Sequence, residues 1–206
     1  INLVTNFIGR NKNLNITDNL ELAENVWKPI LEYAESLNVK IAIENCPMLF
    51  TEDEWPGGKN IAVSPAIWRE LFKRLPSEYL GLNFDPSHFI WQEMDYIRPL
   101  YEFKDKIFHV HYKDIRVDKE ARNEVGVLAT PLSYMVPCIP GHGDVNWARY
   151  ISALLEIGYQ GAACIEVEDK SFEDNNENIE NSLKISRQYL KQFIHFPEKG
   201  RQYAKD

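Results

Sequence analysis

Short apolar runs alternate with longer amphipathic stretches along this chain. Residues 3–8 make an apolar run closed by Gly9, which predicts a strand. Thr17 or Asp18 then caps a helix to about residue 37, with Leu20, Ala23, Val26, Trp27, Ile30, Leu31 and Ala34 at helical spacing. Residues 40–44 predict a second strand, and a loop with Pro47, Pro56, Gly57 and Gly58 follows. Ser64-Pro65 places a cap before a first-turn proline, opening a helix to about residue 75. Residues 80–85 predict a third strand, 86–103 one or two short helices, and 107–111 a fourth strand. Residues 115–140 have weak periodicity and are expected to be a loop insertion. A helix over 147–157, a fifth strand over 162–167 and a polar helix over 172–193 complete the chain.

Strands that alternate with helices imply parallel pairing through helical crossovers. The pattern suits a doubly wound sheet or a (β/α)8 barrel. About five strands are present, whereas a complete barrel needs roughly 250 residues. A GxGxxG fingerprint is missing, so dinucleotide binding has no support. Residues 1–206 are expected to form one domain.

Charge narrows the partners. The 206 residues carry 23 Lys+Arg against 31 Asp+Glu, a net charge of −8. A nucleic-acid partner is not expected of such a balance. Cys46, Cys138 and Cys164 form neither a disulfide framework nor a CxxC knuckle, which points to reduced thiols and a cytoplasmic protein. No apolar run reaches the length of a membrane span, and no secretory signal is visible. The chain opens at Ile1 directly on an apolar run, as expected of a sequence whose natural start lies upstream.

Four of the five strands end in a metal-ligating residue type: Glu44, Asp85, His111 and Glu166. Alternation along each strand puts Ile41, Ile43, Leu82, Phe84, Phe108, Val110, Ile165 and Val167 on one face. The opposite face carries small and polar residues, and in a barrel it is the interior. The four ligand types then converge at the C-terminal mouth, where barrel sites form. One imidazole among carboxylates suits Mn²⁺, Mg²⁺ or Co²⁺ better than a thiolate-type zinc site, with Zn²⁺ still admitted. Singly, each residue has a plainer role. Asp85 would cap the next helix, His88 would sit in its first turn, and Glu44 and Glu166 would be strand-end carboxylates. His109 reads as a core or supporting histidine, and Cys46 and Cys164 as buried small residues.

At these residues the chain resembles the xylose isomerase-like TIM-barrel superfamily. That superfamily groups sugar isomerases and epimerases, inosose dehydratase-type enzymes and the AP endonuclease family 2 repair enzymes. The matching pieces are Ala42-Ile43-Glu44-Asn45, Phe84-Asp85-Pro86-Ser87-His88, His109-Val110-His111-Tyr112-Lys113-Asp114, Gly141-His142-Gly143-Asp144-Val145-Asn146-Trp147 and Ile165-Glu166-Val167-Glu168. The resemblance implies an α/β fold of (β/α)8 TIM-barrel type, here a partial barrel of about five parallel strands. It places Glu44 on the fifth barrel strand and residues 1–8 on the fourth, so that the first three βα units are absent.

By the same resemblance, Glu44, Asp85, His111 and Glu166 would hold one divalent ion. Glu44 and Glu166 would act as acid and base on opposite faces of the substrate. His88 would contact a substrate oxygen, and Arg116 lies near the family's substrate-binding arginine. The implied activity is isomerisation or epimerisation of a ketose-like substrate through an enediolate, with inosose dehydratase-type elimination as the alternative. Trp55 or Trp91 would stack on a sugar face. The DNA-repair reading is disfavoured because residues 134–140 lack the Asp-x-His ligands of the endonucleases. A catalytically incomplete binding protein is the non-enzymatic alternative. The expected partner is a small sugar or cyclitol, not a nucleic acid or membrane, and the reading is compatible with a homo-oligomer.

Overall fold

A computed structural model of the chain describes residues 2–48 and 58–194. The first strand, β1, spans Leu3–Asn6 and leads into helix α1, Ile16–Ser36. The cap of α1 is Asn15, earlier than expected: its side chain accepts a hydrogen bond from the Asp18 amide at 2.9 Å. Strand β2 (Lys40–Glu44), helix α2 (Pro65–Arg74) and strand β3 (Leu80–Phe84) follow in the predicted order. Two short helices come next, α3 (Ser87–Ile90) and α4 (Arg98–Glu102), and then strand β4 (Ile107–Tyr112).

The segment expected to be a loop over 115–140 has structure of its own. Strand β5 (Asp114–Val117) and strand β6 (Met135–Cys138) pair antiparallel, with helix α5 (Lys119–Val125) between them. These pieces are four to seven residues long, too short for periodicity to register. Helix α6 (Trp147–Glu156), strand β7 (Ala162–Ile165) and helix α7 (Asn176–Leu190) end the described chain.

The main sheet has the order β1-β2-β3-β4-β7, and all its pairings are parallel. It is a half-barrel with flanking helices, the partial barrel expected from the sequence. Ile41, Ile43, Leu80, Leu82, Phe84 and Val110 are buried in the main core, as the alternation requires. Trp68 of α2 fills this layer, edge-on to Phe84 at 5.9 Å, Phe89 at 5.7 Å and Phe103 at 5.3 Å.

Phe108 departs from the expected pattern. The register shifts between Leu82 and Asn83, so that Leu82 pairs with Ile107 while Asn83 pairs with His109. The extra residue is Phe108, and the bulge turns its ring across the strand. The ring lies over Gly81, where an added Cβ would collide with it and with the Lys106 carbonyl. Lys40 Nζ sits 4.5 Å from the ring centroid.

Candidate metal centre

Each predicted ligand is delivered by a strand end. Glu44 closes β2 and is buried. Asp85 follows β3 and is fully buried. Its backbone is clamped by Asn45: the Asp85 amide donates to Asn45 Oδ1 at 2.8 Å, and Asn45 Nδ2 donates to the Asp85 carbonyl at 2.9 Å. Asn60 does the same for β2, donating to the carbonyls of Glu44 at 2.7 Å and Cys46 at 2.8 Å. Asp85 Oδ1 accepts from the Ser87 amide at 2.8 Å, so half of the carboxylate does serve the helix start. Oδ2 is left for other use.

His111 is the meeting point. Its Nδ1 lies 3.1 Å from Glu166 Oε2, 3.4 Å from Glu44 Oε1 and 4.0 Å from Asp85 Oδ2. The other ring nitrogen, Nε2, lies 3.0 Å from the Asn83 side-chain amide, whose oxygen contacts His109 Nδ1 at 2.7 Å. The bulge that aligns Asn83 with His109 makes this bridge reachable. For His111 Nδ1 to present a lone pair, its proton must sit on Nε2 and the Asn83 oxygen must accept it. The Asn83 nitrogen would then donate to His109. An asparagine can turn either end, so the relay follows the protonation of His111.

Electrostatics describe a site short of positive charge. Burial alone would raise the Glu44 carboxyl, but His111 and His88 hold it well below the usual carboxylate range. Burial alone would lower His111, but Glu166 and Glu44 override it and hold the ring near pKa 10. His88, lowered by burial and by Lys113, is still carried to about 10 by Asp85 and Cys46. Glu166 is pushed up by burial and brought below its ordinary value by His111 and Lys113. Protons on the two rings therefore stand in for a cation.

The donor set fits a divalent ion. One ligand atom each from Glu44, Asp85, His111 and Glu166 lies within 4.8 Å of all the others. Asp85 Oδ2, His111 Nδ1 and Glu166 Oε2 are buried and find no hydrogen-bond partner among the described residues. Orphaned acceptors facing one point are what an ion would satisfy.

Lys113 is the residue the sequence reading passed over. It is buried, with Nζ at 2.9 Å from Glu168 Oε2, 3.3 Å from Glu166 Oε2 and 3.5 Å from Asp85 Oδ2. The signal was present, since Lys113 lies two residues beyond His111 on a strand where such residues share a face. Burial pushes its ammonium down, and Asp85, Glu166 and Glu168 more than reverse this. Beside the cluster is a cavity of about 70 Å³, lined by His88, Lys113 and Trp91 and by Leu132, Met135 and Pro137. The β5–β6 insertion thus walls the site with apolar side chains.

Other expected residues fall elsewhere. Arg116 is exposed on β5 beside Cys138, outside the ligand cluster. Trp91 lines the cavity, and Trp55 lies outside the described residues. Cys164 is exposed, not buried, because it faces the open side of the half-barrel. Cys46 is half-buried, at the cavity. Among the described residues no helix is long and apolar enough to cross a membrane.

Comparison with known proteins bears on the fold and the family. A family model described as xylose isomerase-like TIM barrel matches residues 1–191. The uncharacterized protein YfiH of Bacillus subtilis is 30% identical over 180 residues, covering 82% of this chain and 51% of that protein. An inosose dehydratase of Lactiplantibacillus plantarum is 27% identical over 117 residues, covering 56% of this chain and 38% of the enzyme. The chain thus spans about half the length, or less, of these curated relatives. A crystal structure of the IolI protein with a bound zinc atom superposes with a TM-score of 0.66 at 19% identity, covering 94% of this chain and 64% of that one.

Proposed function

Because the chain belongs to the xylose isomerase-like TIM-barrel family, a family of sugar-modifying enzymes, we propose that it isomerises or epimerises a ketose-like sugar with one divalent ion at Glu44, Asp85, His111 and Glu166. The observation that carries this is the pairing of two carboxylates on one imidazole. Glu44 and Glu166 reach His111 Nδ1 at 3.4 and 3.1 Å from opposite sides of β4. Such a pair serves as base and acid on one substrate carbon. Glu166 is ionised at neutral pH but is a weak base, its pKa lying below the ordinary carboxylate value. The C–H bond must therefore be made acidic. When bound, the divalent ion supplies that acidity by polarising the adjacent carbonyl.

The chain's own groups do the rest. Glu44 or Glu166 takes the proton, and the other returns it, to the opposite face for epimerisation. The Lys113 ammonium and the His88 ring line the cavity and would hold the oxygen on which charge develops. Lys113 takes over the cationic role that the resemblance gave to Arg116.

A second reading is loss of water from a cyclitol ketone. It is favoured by the relatives named inosose dehydratase and by an ammonium group able to hydrogen-bond a departing hydroxyl. Both readings begin with the same proton. Incubating the chain with Mn²⁺ and a panel of ketoses and cyclitol ketones in D₂O is expected to place deuterium beside the carbonyl, seen by NMR. Glu166→Gln should abolish this. An epimer or isomer supports the first reading, whereas an unsaturated ketone absorbing in the ultraviolet supports the second. Absence of exchange with any substrate by the metal-loaded chain would overturn both.

A further inference from the structure

We propose that Glu168, itself outside the ligand set, is a positioning residue for the ion: it keeps the Lys113 ammonium from competing for Asp85 and Glu166. The proposal rests on the four-ligand centre described above and extends it to a residue that touches no ion. The segment after β7 delivers Glu168 to this place. Glu168 lies two residues beyond Glu166 and is followed by the buried Asp169. Asp169 Oδ2 accepts from the Ile139 amide, just past β6, at 3.2 Å, and Oδ1 accepts from the Ser171 amide at 3.0 Å. These bonds fix the backbone beside the end of the insertion. The Glu168 side chain reaches the cavity and stays 54% exposed, whereas that of Lys113 is 3% exposed.

Three carboxylates lie within reach of Lys113, and they are not equivalent. Among the described residues its one hydrogen bond goes to Glu168 Oε2, at 2.9 Å. Glu166 Oε2 at 3.3 Å and Asp85 Oδ2 at 3.5 Å stand at ion-pair range. Those two residues belong to the ligand cluster, and Glu168 alone of the three does not.

The ammonium and a divalent ion therefore compete for the same two carboxylates, and they repel one another. A buried ammonium stripped of its counter-charges is costly. Ion binding then requires that Lys113 keep a carboxylate of its own, and Glu168 is that carboxylate. Without Glu168, the ammonium has only Asp85 and Glu166 to turn to, and the ion must displace it from both. An ammonium has three N–H donors, so the one spent on Glu168 leaves two for an oxygen in the cavity.

Calorimetric titration with Mn²⁺ alone tests this without any substrate. Lys113→Met, which removes the competing cation, should bind Mn²⁺ more tightly than the unaltered chain. Glu168→Ala should bind it about 10-fold more weakly, as loss of a supporting contact does elsewhere. Glu168→Gln, whose amide oxygen still accepts from the ammonium, should lose clearly less. In the double variant Lys113→Met/Glu168→Ala, the Glu168 change should cost nothing further. Circular dichroism checks the fold of each variant. If the Lys113 variants fail to fold, the comparison of Glu168→Ala with Glu168→Gln decides alone, since Glu168 is exposed. Equal losses in those two variants, or a loss that persists beside Lys113→Met, would mean that Glu168 acts only as a nearby charge. Either result would overturn the proposal and leave the four-ligand centre standing. No Mn²⁺ bound by any chain, the unaltered one included, would overturn both.

Discussion

Asn83 has one side-chain contact to each of two histidine rings, and that makes it a positioning residue. It holds no ion itself, yet His111 can offer Nδ1 only while its other nitrogen is engaged. Asn83→Ala is expected to weaken ion binding by about 10–100-fold, as loss of such supporting contacts does elsewhere. Titration calorimetry with Mn²⁺ would measure it. Lys113 works in the opposite direction. It is the buried cation that keeps Asp85, Glu166 and Glu168 tolerable in the ion-free chain. Lys113→Ala should cost the ion-free chain on the order of 3 kcal/mol or more in urea unfolding, and less with Mn²⁺ present, because the ion replaces the lost charge. The histidines set the pH dependence. His111 is raised from 6.5 to about 10, so its stabilisation is complete below about pH 6.5 and is lost as pH rises through 10. The ion-free chain should therefore melt at progressively lower temperature between pH 7 and 10. Ion affinity should rise over the same range, since binding needs the deprotonated ring, and calorimetry in two buffers should detect released protons.

At the scale of elements, Asp114 ties the insertion to the barrel. Its carboxylate accepts from the amides of Gly141 and Val145, each at 2.9 Å, and from Trp147 Nε1 at 2.8 Å. One side chain thus holds β5, the loop before α6 and the first turn of α6. Gly143 lies so close that an added Cβ would collide with Asp114 Oδ1 and the Ile115 carbonyl. Asp114→Ala should destabilise the chain by about 3 kcal/mol or more, leaving buried donors unpaired. Gly143→Ala should act in the same direction. Because the insertion walls the cavity, both changes should also impair substrate binding more than ion binding, which activity and ion titrations measured in parallel would separate.

At the scale of the whole molecule, the half-barrel has two edges. Within the described residues β1 and β7 each pair on one side, and β7 is exposed along most of its length. Leu22, Val26, Ile30, Tyr33 and Leu37 make an exposed apolar stripe on α1 and just past its end, although Val26 and Ile30 fall at the same helical spacing as the buried Leu20, Ala23, Trp27, Leu31 and Ala34. Behind β7, between α6 and α7, is an apolar cleft of about 420 Å³ lined by Tyr112, Leu154, Ile165 and Leu190. It holds none of the proposed ligands. Exposed edges and apolar surface of this extent favour association. The 206-residue chain is expected to bind the dye ANS and to associate with rising concentration in light scattering. A strictly monomeric chain without ANS binding would contradict this.

The sequence by itself determined the five strands of the main sheet, their parallel pairing and the convergence of Glu44, Asp85, His111 and Glu166. Those depend on local periodicity and on alternation along a strand, which any chain of this pattern must obey. The same alternation puts Lys113 on the face of His111, a signal that the sequence reading left unused. Tertiary structure alone decided the rest. The bulge at Phe108 breaks the two-residue period, and what sets it is packing between strands, not anything local to β4. The β5–β6 ribbon has pieces too short to carry a period, and it is held by Asp114 reaching residues far along the chain. Exposure of Cys164 and of the α1 stripe follows from which neighbours the sheet has, a property of the assembled fold. The orphaned atoms that call for an ion arise where side chains from four strand ends meet, and that meeting exists only once the strands have assembled side by side.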